Sequence, residues 1–194
     1  MNRISIINQL IKDNEYKSYL EIGVARKHIC FDKIDCKTKI SVDPSKIDHY
    51  DFNMTSDEFF QINTNTFDII FIDGLHTAEQ VEKDINNSLL ILNNNGTIVV
   101  HDTNPSSEFS QMESQANALL TPTKVIWHGT VWKAIFKLRK TRNDIIIETY
   151  DCDEGVTTIK RGYSDLLLAE NPYYSYYIFD KDRSEILNLK TKYA

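Results

Sequence analysis

Between Phe67 and Asp102 the chain reads FDIIFIDGLHTAEQVEKDINNSLLILNNNGTIVVHD, two apolar runs either side of a helical stretch. Both runs are apolar on successive residues, so they predict strands buried on both faces, at 67–73 and 97–102. Between them, Ala78, Val81, Ile85, Leu89 and Leu92 recur by threes and fours and mark one face of a helix. Thr77 and Gln80 have capping-box spacing at its start. Residues 93–96 predict its end, through side chains that tolerate a left-handed backbone. Strand, helix and strand at this rhythm imply a right-handed crossover and a parallel sheet.

The flanking segments extend that sheet. Ile4, Ile7, Leu10 and Ile11 predict an opening amphipathic helix, followed by a short strand in SYLEIGV. A further strand is expected at 40–43, stopped by Pro44. SDEFFQIN reads as a helix with Ser56 as its N-cap and acids in the first turn. After residue 108, EFSQMESQANALL and VWKAIFKLRK predict helices. DIIIETY and VTTIKRG predict two strands joined by a turn at DCDEG. A last helix lies near Ile178, Ile186 and Leu189. The expected fold is therefore α/β and Rossmann-like: a doubly wound, mostly parallel sheet closed by an antiparallel hairpin. One domain is expected over residues 1–194, with about 163–194 as a helical and aromatic tail packed on it.

With 194 residues, 41% hydrophobic and 26% charged, the chain has the composition of a soluble globular domain. A net charge of −6 argues against a broad nucleic-acid footprint. Cys30, Cys36 and Cys152 are an odd set without CxxC spacing, which predicts reduced thiols in a cytoplasmic compartment. No apolar run reaches membrane-spanning length and the N-terminus lacks a signal-peptide core, so no membrane partner is expected. A homo-oligomer is compatible with the sequence.

In an open parallel sheet, ligands bind beyond the carboxyl ends of the strands. Those ends carry Glu21-Ile22-Gly23, Asp43-Pro44-Ser45, Asp73-Gly74 and His101-Asp102. Gly23 permits a tight turn and close approach of a ligand. Asp43, at the next strand end, is placed to accept hydrogen bonds from the two hydroxyls of a ribose. A pyrophosphate cofactor such as NAD would call for a G-x-G-x-x-G loop, whereas EIGVARKHICF offers one glycine and an acid two residues before it. That acid suits a cation. S-adenosylmethionine carries a sulfonium and an amino group and no phosphate. A NAD-dependent oxidoreductase is the less favoured alternative.

YLEIGV, VDPS, SDEFF, the block from Phe67 to Pro105 and GTVWKAI together resemble a class I S-adenosylmethionine-dependent methyltransferase, within the branch grouped as methyltransferase domain family 24. The resemblance implies a seven-stranded sheet with a reversed final strand. It also implies an O-methyltransferase acting on a sugar or glycan precursor, with S-adenosyl-L-methionine as cofactor. By position, Glu21, Gly23 and Val24 are implied to line the methionine side. Asp43 is implied to hold the ribose, with Pro44, Ser45, Thr55 and Ser56 near the adenosine. Asp73, Gly74 and His76 are implied to wall the cofactor from its acceptor. Where the family's first loop has a second glycine, this chain has Lys27, which predicts crowding of the methionine end and raises a non-catalytic binding domain as an alternative.

Methyl transfer to oxygen needs alignment and removal of the acceptor's proton. His76 and His101, beside two strand ends, are the candidate bases, because imidazole titrates near neutral pH; Asp102 completes the catalytic set. Some related enzymes hold Mg²⁺ at acids like Asp73 and Asp102, with Asp or Asn directly after the second acid. Thr103 stands there in this chain, with Asn104 next, so a metal is not the favoured expectation. His128, Gly129 and Trp132 precede a helix whose Lys133, Lys137, Arg139, Lys140 and Arg142 predict a solvated basic face. Relatives tend to carry an Asp at the place of Thr130. Tyr173, Tyr174, Tyr176 and Tyr177 offer faces for stacking on a sugar or for packing the tail onto the core.

Overall fold

A computed structural model describes residues 1–121, 125–169 and 175–191. Its centre is one seven-stranded sheet in the order β2-β1-β3-β4-β6-β5-β7. The strands are β1 (Ser18–Ile22), β2 (Thr38–Val42), β3 (Phe67–Ile72), β4 (Leu92–Val100), β5 (Ile145–Tyr150), β6 (Val156–Arg161) and β7 (Leu189–Lys190). β1 pairs in parallel with β2 and β3, and β3 with β4. Only β6 is reversed, pairing antiparallel with both β4 and β5. The expected hairpin is thus present, and a two-residue β7 lies parallel to β5 at the edge.

Alternation along the strands sends side chains to two separate cores. Leu20, Ile22, Ile70, Ile72, Ile98 and Val100 face the larger one, covered by α2 (Ser56–Ile62), α3 (Ala78–Ile91), α5 (Val131–Thr141) and α6 (Tyr176–Leu187). Tyr19, Ile69, Phe71 and Val99 face the other, covered by α1 (Arg3–Asn14) through Ile6, Ile7, Leu10 and Ile11. Helices on both faces leave β1 and β3 buried on both sides, which is why their sequences are mostly apolar on successive residues. Trp132 against Phe179, with ring centroids 4.2 Å apart, ties α6 to α5.

Three local expectations are corrected. The N-cap of α2 is Thr55, not Ser56: Thr55 and Glu58 form a reciprocal capping box, and Ser56 is the first helical residue. Asn93 to Gly96 do not close α3. Leu92 is already extended, and the asparagines run within β4. The Arg161 guanidinium takes Leu89 O in the last turn of α3 together with Leu92 O and Asn93 O just beyond it. The helix expected from residue 108 shrinks to α4 (Gln115–Leu119). Upstream, Ser107 and Ser110 bond each other's backbone amides at 3.0 and 3.1 Å, so local turns replace helical pairing.

The basic helix is less solvated than its sequence suggests. Arg139 takes the carbonyls of Glu185 and Ile186 at the end of α6, Lys140 takes Ala169 O at 2.8 Å, and Lys137 pairs with Glu82. Tyr176 packs the tail down through its hydroxyl to Pro105 O, and Tyr177 is exposed. Tyr173 and Tyr174 lie outside the described residues. Cys30, Cys36 and Cys152 are free thiols. Among the described residues no helix is long and apolar enough to cross a membrane.

Candidate functional site

The chain runs outward from β1 to β2 and then returns to β3 on the far side of β1, so the direction of winding switches between β1 and β3. A cleft of about 610 Å³ opens there, beyond the carboxyl ends of the strands. Gly23, Asp43, Pro44, Thr55, Ser56, Asp73, Gly74 and His76 line it. Backbone bonds carry the ladder to its rim: Gly23 N donates to Val42 O at 2.9 Å, and Asp73 N to Ile22 O at 2.9 Å.

Asp43 is buried, and each of its carboxylate oxygens already accepts one backbone amide at 2.8 Å, Oδ2 from Ala25 and Oδ1 from Ser45. The acid therefore fastens the first loop to the end of β2 and keeps a second lone pair on each oxygen. Ser45 itself sits behind this turn, with its hydroxyl 3.0 Å from Tyr50 Oη, and is not on the cleft wall. In the first loop Ala25, at φ +50°, takes the left-handed conformation. Lys27 turns away: its amide is held by Asp48 at 3.0 Å and its ammonium lies 5.1 Å from the Phe31 ring centre. The crowding expected of Lys27 does not occur, because its side chain lies over Phe31 and is not on the cleft wall.

Glu21 and Val24 also face away from the cleft, into the core under α1. Residues 19 and 21 of a strand share a face, and the Tyr19 hydroxyl donates to the Glu21 carboxylate. Burial pushes the Glu21 acid up to about 8, against the opposing hydrogen bond from Tyr19. A carboxyl whose folded pKa lies above its ordinary 4.5 is most stabilising below that value, and loses the benefit as pH rises toward 8. Glu21→Gln removes the titration. Its stability advantage over the natural chain is expected to grow from nothing near the unfolded pKa to about 4–5 kcal/mol at mildly alkaline pH. Denaturant unfolding across that range checks this, and an advantage that stays flat with pH would contradict it.

Four ionisable groups converge where β3 and β4 end. His76 Nε2 lies 3.5 Å from Asp73 Oδ1, and His76 Nδ1 lies 3.3 Å from Asp102 Oδ2. His101 Nδ1 is 3.3 Å from Asp73 Oδ1 and 3.2 Å from Asp102 Oδ1. The two histidines occupy different places. His76 stands on the cleft wall, its ring stacked on Trp127 at 4.9 Å and 12°. His101 is behind it, on the α1 side of the sheet, with Nε2 2.9 Å from the Arg3 guanidinium and 2.7 Å from Asp153 O. Asp102 adopts φ +57°, which turns its carboxylate into this cluster.

The acids and imidazoles shift one another. Burial disfavours the charged forms of Asp73, His76 and His101, yet their neighbours reverse the sign. Hydrogen bonds from His101 and His76 pull Asp73 below the usual carboxylate range. Contacts with Asp102, Asp153 and Asp73 push His101 up to about 12, and Asp73 and Asp102 raise His76 as well. His101 thus holds its proton through neutral pH, which removes it as a base. One donor atom each from Asp73, His76 and Asp102 lie within 4.8 Å of one another, close enough to share a metal ion.

The fold also brings in residues that the sequence does not advertise. Trp127, Leu75 and Gln115 line the cleft, and so do Gln80 and Asp84 on α3. Gln80 and Asp84 are four residues apart and bonded at 3.0 Å, a polar pair on the inward face of a helix, which is the one local signal that marks them. Burial raises the Asp84 acid to about 6. Nothing near Arg3 in the sequence foretells its contact with His101, 98 residues away.

Comparison with known proteins agrees with this architecture. The family model described as a methyltransferase domain matches residues 20–103. No curated protein matches the sequence. A candidate caffeoyl-CoA O-methyltransferase of Staphylococcus aureus superposes with a TM-score of 0.56 at 17% identity, covering 82% of each chain. A Podospora anserina methyltransferase bound to S-adenosylhomocysteine gives 0.57 at 15% identity, over 81% of this chain and 77% of that one. A Bacillus cereus O-methyltransferase in complex with S-adenosylhomocysteine gives 0.55 at 10% identity, over 80% and 79%. The sheet and its helices thus have the fold of these solved methyltransferases, and the methyltransferase-domain model matches the part of it between residues 20 and 103.

Proposed function

We propose that residues 1–194 work as a single S-adenosylmethionine-dependent O-methyltransferase domain, with a small hydroxyl-bearing molecule as acceptor. The observation that carries this reading is the cleft at the β1/β3 switch point, with Gly23 and Gly74 at its base and a buried carboxylate, Asp43, at the neighbouring strand end. Asp43 holds the ribose hydroxyls. Pro44, Thr55 and Ser56 wall the adenosine side, and Asp73 and Gly74 border the methionine side. S-adenosylmethionine, when bound, supplies a methyl group already activated on a sulfonium. What remains for the protein is to align the acceptor oxygen and to favour loss of its proton. The Asp73–His76–Asp102 cluster does this from the cleft wall, with Trp127 as the face against which the acceptor lies.

The finer assignment is a sugar or glycan precursor, resting on the family resemblance and on Trp127, since an indole ring offers the flat apolar surface that sugar C–H groups pack against. Three free thiols suit a reducing, cytoplasmic location. Lys27 gives no ground for a degenerate domain, because its side chain lies on Phe31. Calorimetry tests the cofactor: S-adenosylhomocysteine is expected to bind with one site per chain and NAD not to bind. Failure of S-adenosylhomocysteine to bind at millimolar concentration would end this reading.

A further inference from the structure

We propose that Asp84 reads the base of the bound nucleoside: its buried carboxylate accepts the exocyclic amine of adenine and rejects a base that presents a carbonyl there. The inference rests on the methyltransferase reading for the placement of the cofactor, and adds the group that selects which nucleoside enters.

Asp84 lines the cleft from α3 and is 1% exposed. Its Oδ1 accepts a hydrogen bond from Gln80 Nε2 at 3.0 Å. Its Oδ2 is buried and has no hydrogen-bond partner among the described residues. Ser88, one turn further along α3, carries a buried hydroxyl that is likewise unpartnered, so the helix itself does not answer Oδ2. Lys83, the preceding residue, pairs with Asp57 on α2. Burial holds the Asp84 acid up at about 6, as befits a carboxylate that its neighbours satisfy only in part. A buried acceptor left open on the wall of a cavity is a place for a donor from the ligand.

Its position selects which donor. Gln80 Nε2 also reaches Ser56 Oγ at 3.2 Å and Asp57 Oδ1 at 3.1 Å, so Asp84 belongs to a polar corner shared by the first turn of α2 and the inward face of α3. That corner continues the adenosine wall of Thr55 and Ser56. With the ribose hydroxyls on Asp43, the part of the cofactor that extends along this wall is the base. Pro44 and Leu75 line the same cleft and give a flat ring apolar flanks. At C6 adenine carries an N–H donor, whereas hypoxanthine carries a carbonyl oxygen. A carboxylate accepts from the first and repels the second.

The acceptor is held in place before any ligand arrives. The first amide of α3, Ala78 N, donates to Thr130 Oγ1 at 2.8 Å, and Thr77 caps Gln80 N. Thr130 N in turn donates to His76 O at 2.9 Å, which ties the start of the helix to the loop before α5. A fixed, desolvated acceptor discriminates more sharply than one that can turn to water.

Calorimetry of the full chain with S-adenosylhomocysteine and S-inosylhomocysteine tests this, since the second ligand has a carbonyl oxygen in place of the amine. The natural chain is expected to bind the adenosine form at least about tenfold more tightly. Asp84→Asn keeps the shape of the side chain and offers an N–H to that carbonyl, so the preference is expected to fall by at least about tenfold. Asp84→Ala removes the acceptor without supplying a donor, and should bring the two affinities close together. A side chain that merely supports the cleft would, when replaced, weaken both ligands alike and leave their ratio unchanged. Equal affinities in the natural chain, or a ratio unchanged in the folded variants, would overturn the proposal. S-adenosylhomocysteine bound without preference would defeat this inference alone; failure of both ligands to bind would end the methyltransferase reading and this inference with it.

Discussion

Asp43→Ala is expected to weaken S-adenosylhomocysteine binding by about a hundredfold or more, because two hydrogen bonds from ribose hydroxyls to a carboxylate are each worth roughly 1.5–3 kcal/mol. The carboxylate is 6% exposed, so water does not substitute for it cheaply. It is also held rigid by the amides of Ala25 and Ser45, so ligand hydroxyls meet an acceptor that needs no reordering. Asp43→Asn keeps one acceptor oxygen and should fall between the two. Calorimetry reads the affinity. Thermal unfolding of the same variants separates ribose recognition from the loop tether, because losing the bonds to Ala25 and Ser45 lowers stability without regard to ligand. Undiminished affinity in a folded Asp43→Ala protein would mean that the ribose lies elsewhere.

Gly23→Ala should be the most damaging single methyl group in the cleft. Gly23 has φ +83°, and a Cβ there would lie 2.3 Å from Asp73 O, 2.3 Å from Gly74 Cα and 2.4 Å from Gly74 N. All three are backbone atoms at the end of β3, so no side chain can rotate aside. Relief requires separating β1 from β3 where Asp73 N bonds Ile22 O, the last rung of that ladder. A destabilisation of about 3 kcal/mol or more is expected, a fall in melting temperature of roughly 6–12 °C for a domain of this size, together with loss of cofactor binding. Gly74→Ala is the matched control. Its φ is not positive, and the nearest atom to an added Cβ is Ile22 Cγ2 at 3.7 Å, so near-normal stability is expected. Equal melting temperatures for the two variants would refute the argument.

The parts legible in the sequence are those governed by local pattern. Apolar runs announced β1, β3 and β4, spacing by threes and fours announced α3, and the turn after β5 announced the hairpin. Errors arose where a distant side chain took over a local task. Asn93 to Gly96 look like a helix stop, yet the asparagines enter β4, and Arg161 from β6 takes Leu89 O in the last turn of α3 and the carbonyls of Leu92 and Asn93 after it. Glu21 looks like a cleft residue because it stands two positions from Gly23, but strand alternation turns it under the sheet to Tyr19.

The candidate site divides in the same way. Gly23, Asp43, Asp73 and Asp102 could be named in advance, since a parallel sheet delivers the residues after its strands to one edge whatever else the chain does. Which histidine meets that edge was not legible. His101 sits beside an acid in sequence and His76 three residues after one, and the packing of Trp127 on His76 and of Arg3 on His101 distinguishes the ring in the cleft from the ring behind it. The sequence by itself determined the layers, the parallel order and the acid-bearing strand ends, because periodicity and crossover handedness are local and directional. The tertiary structure alone decided side-chain partners across 50 to 100 residues, because such contacts depend on distances between elements that no spacing along the chain records.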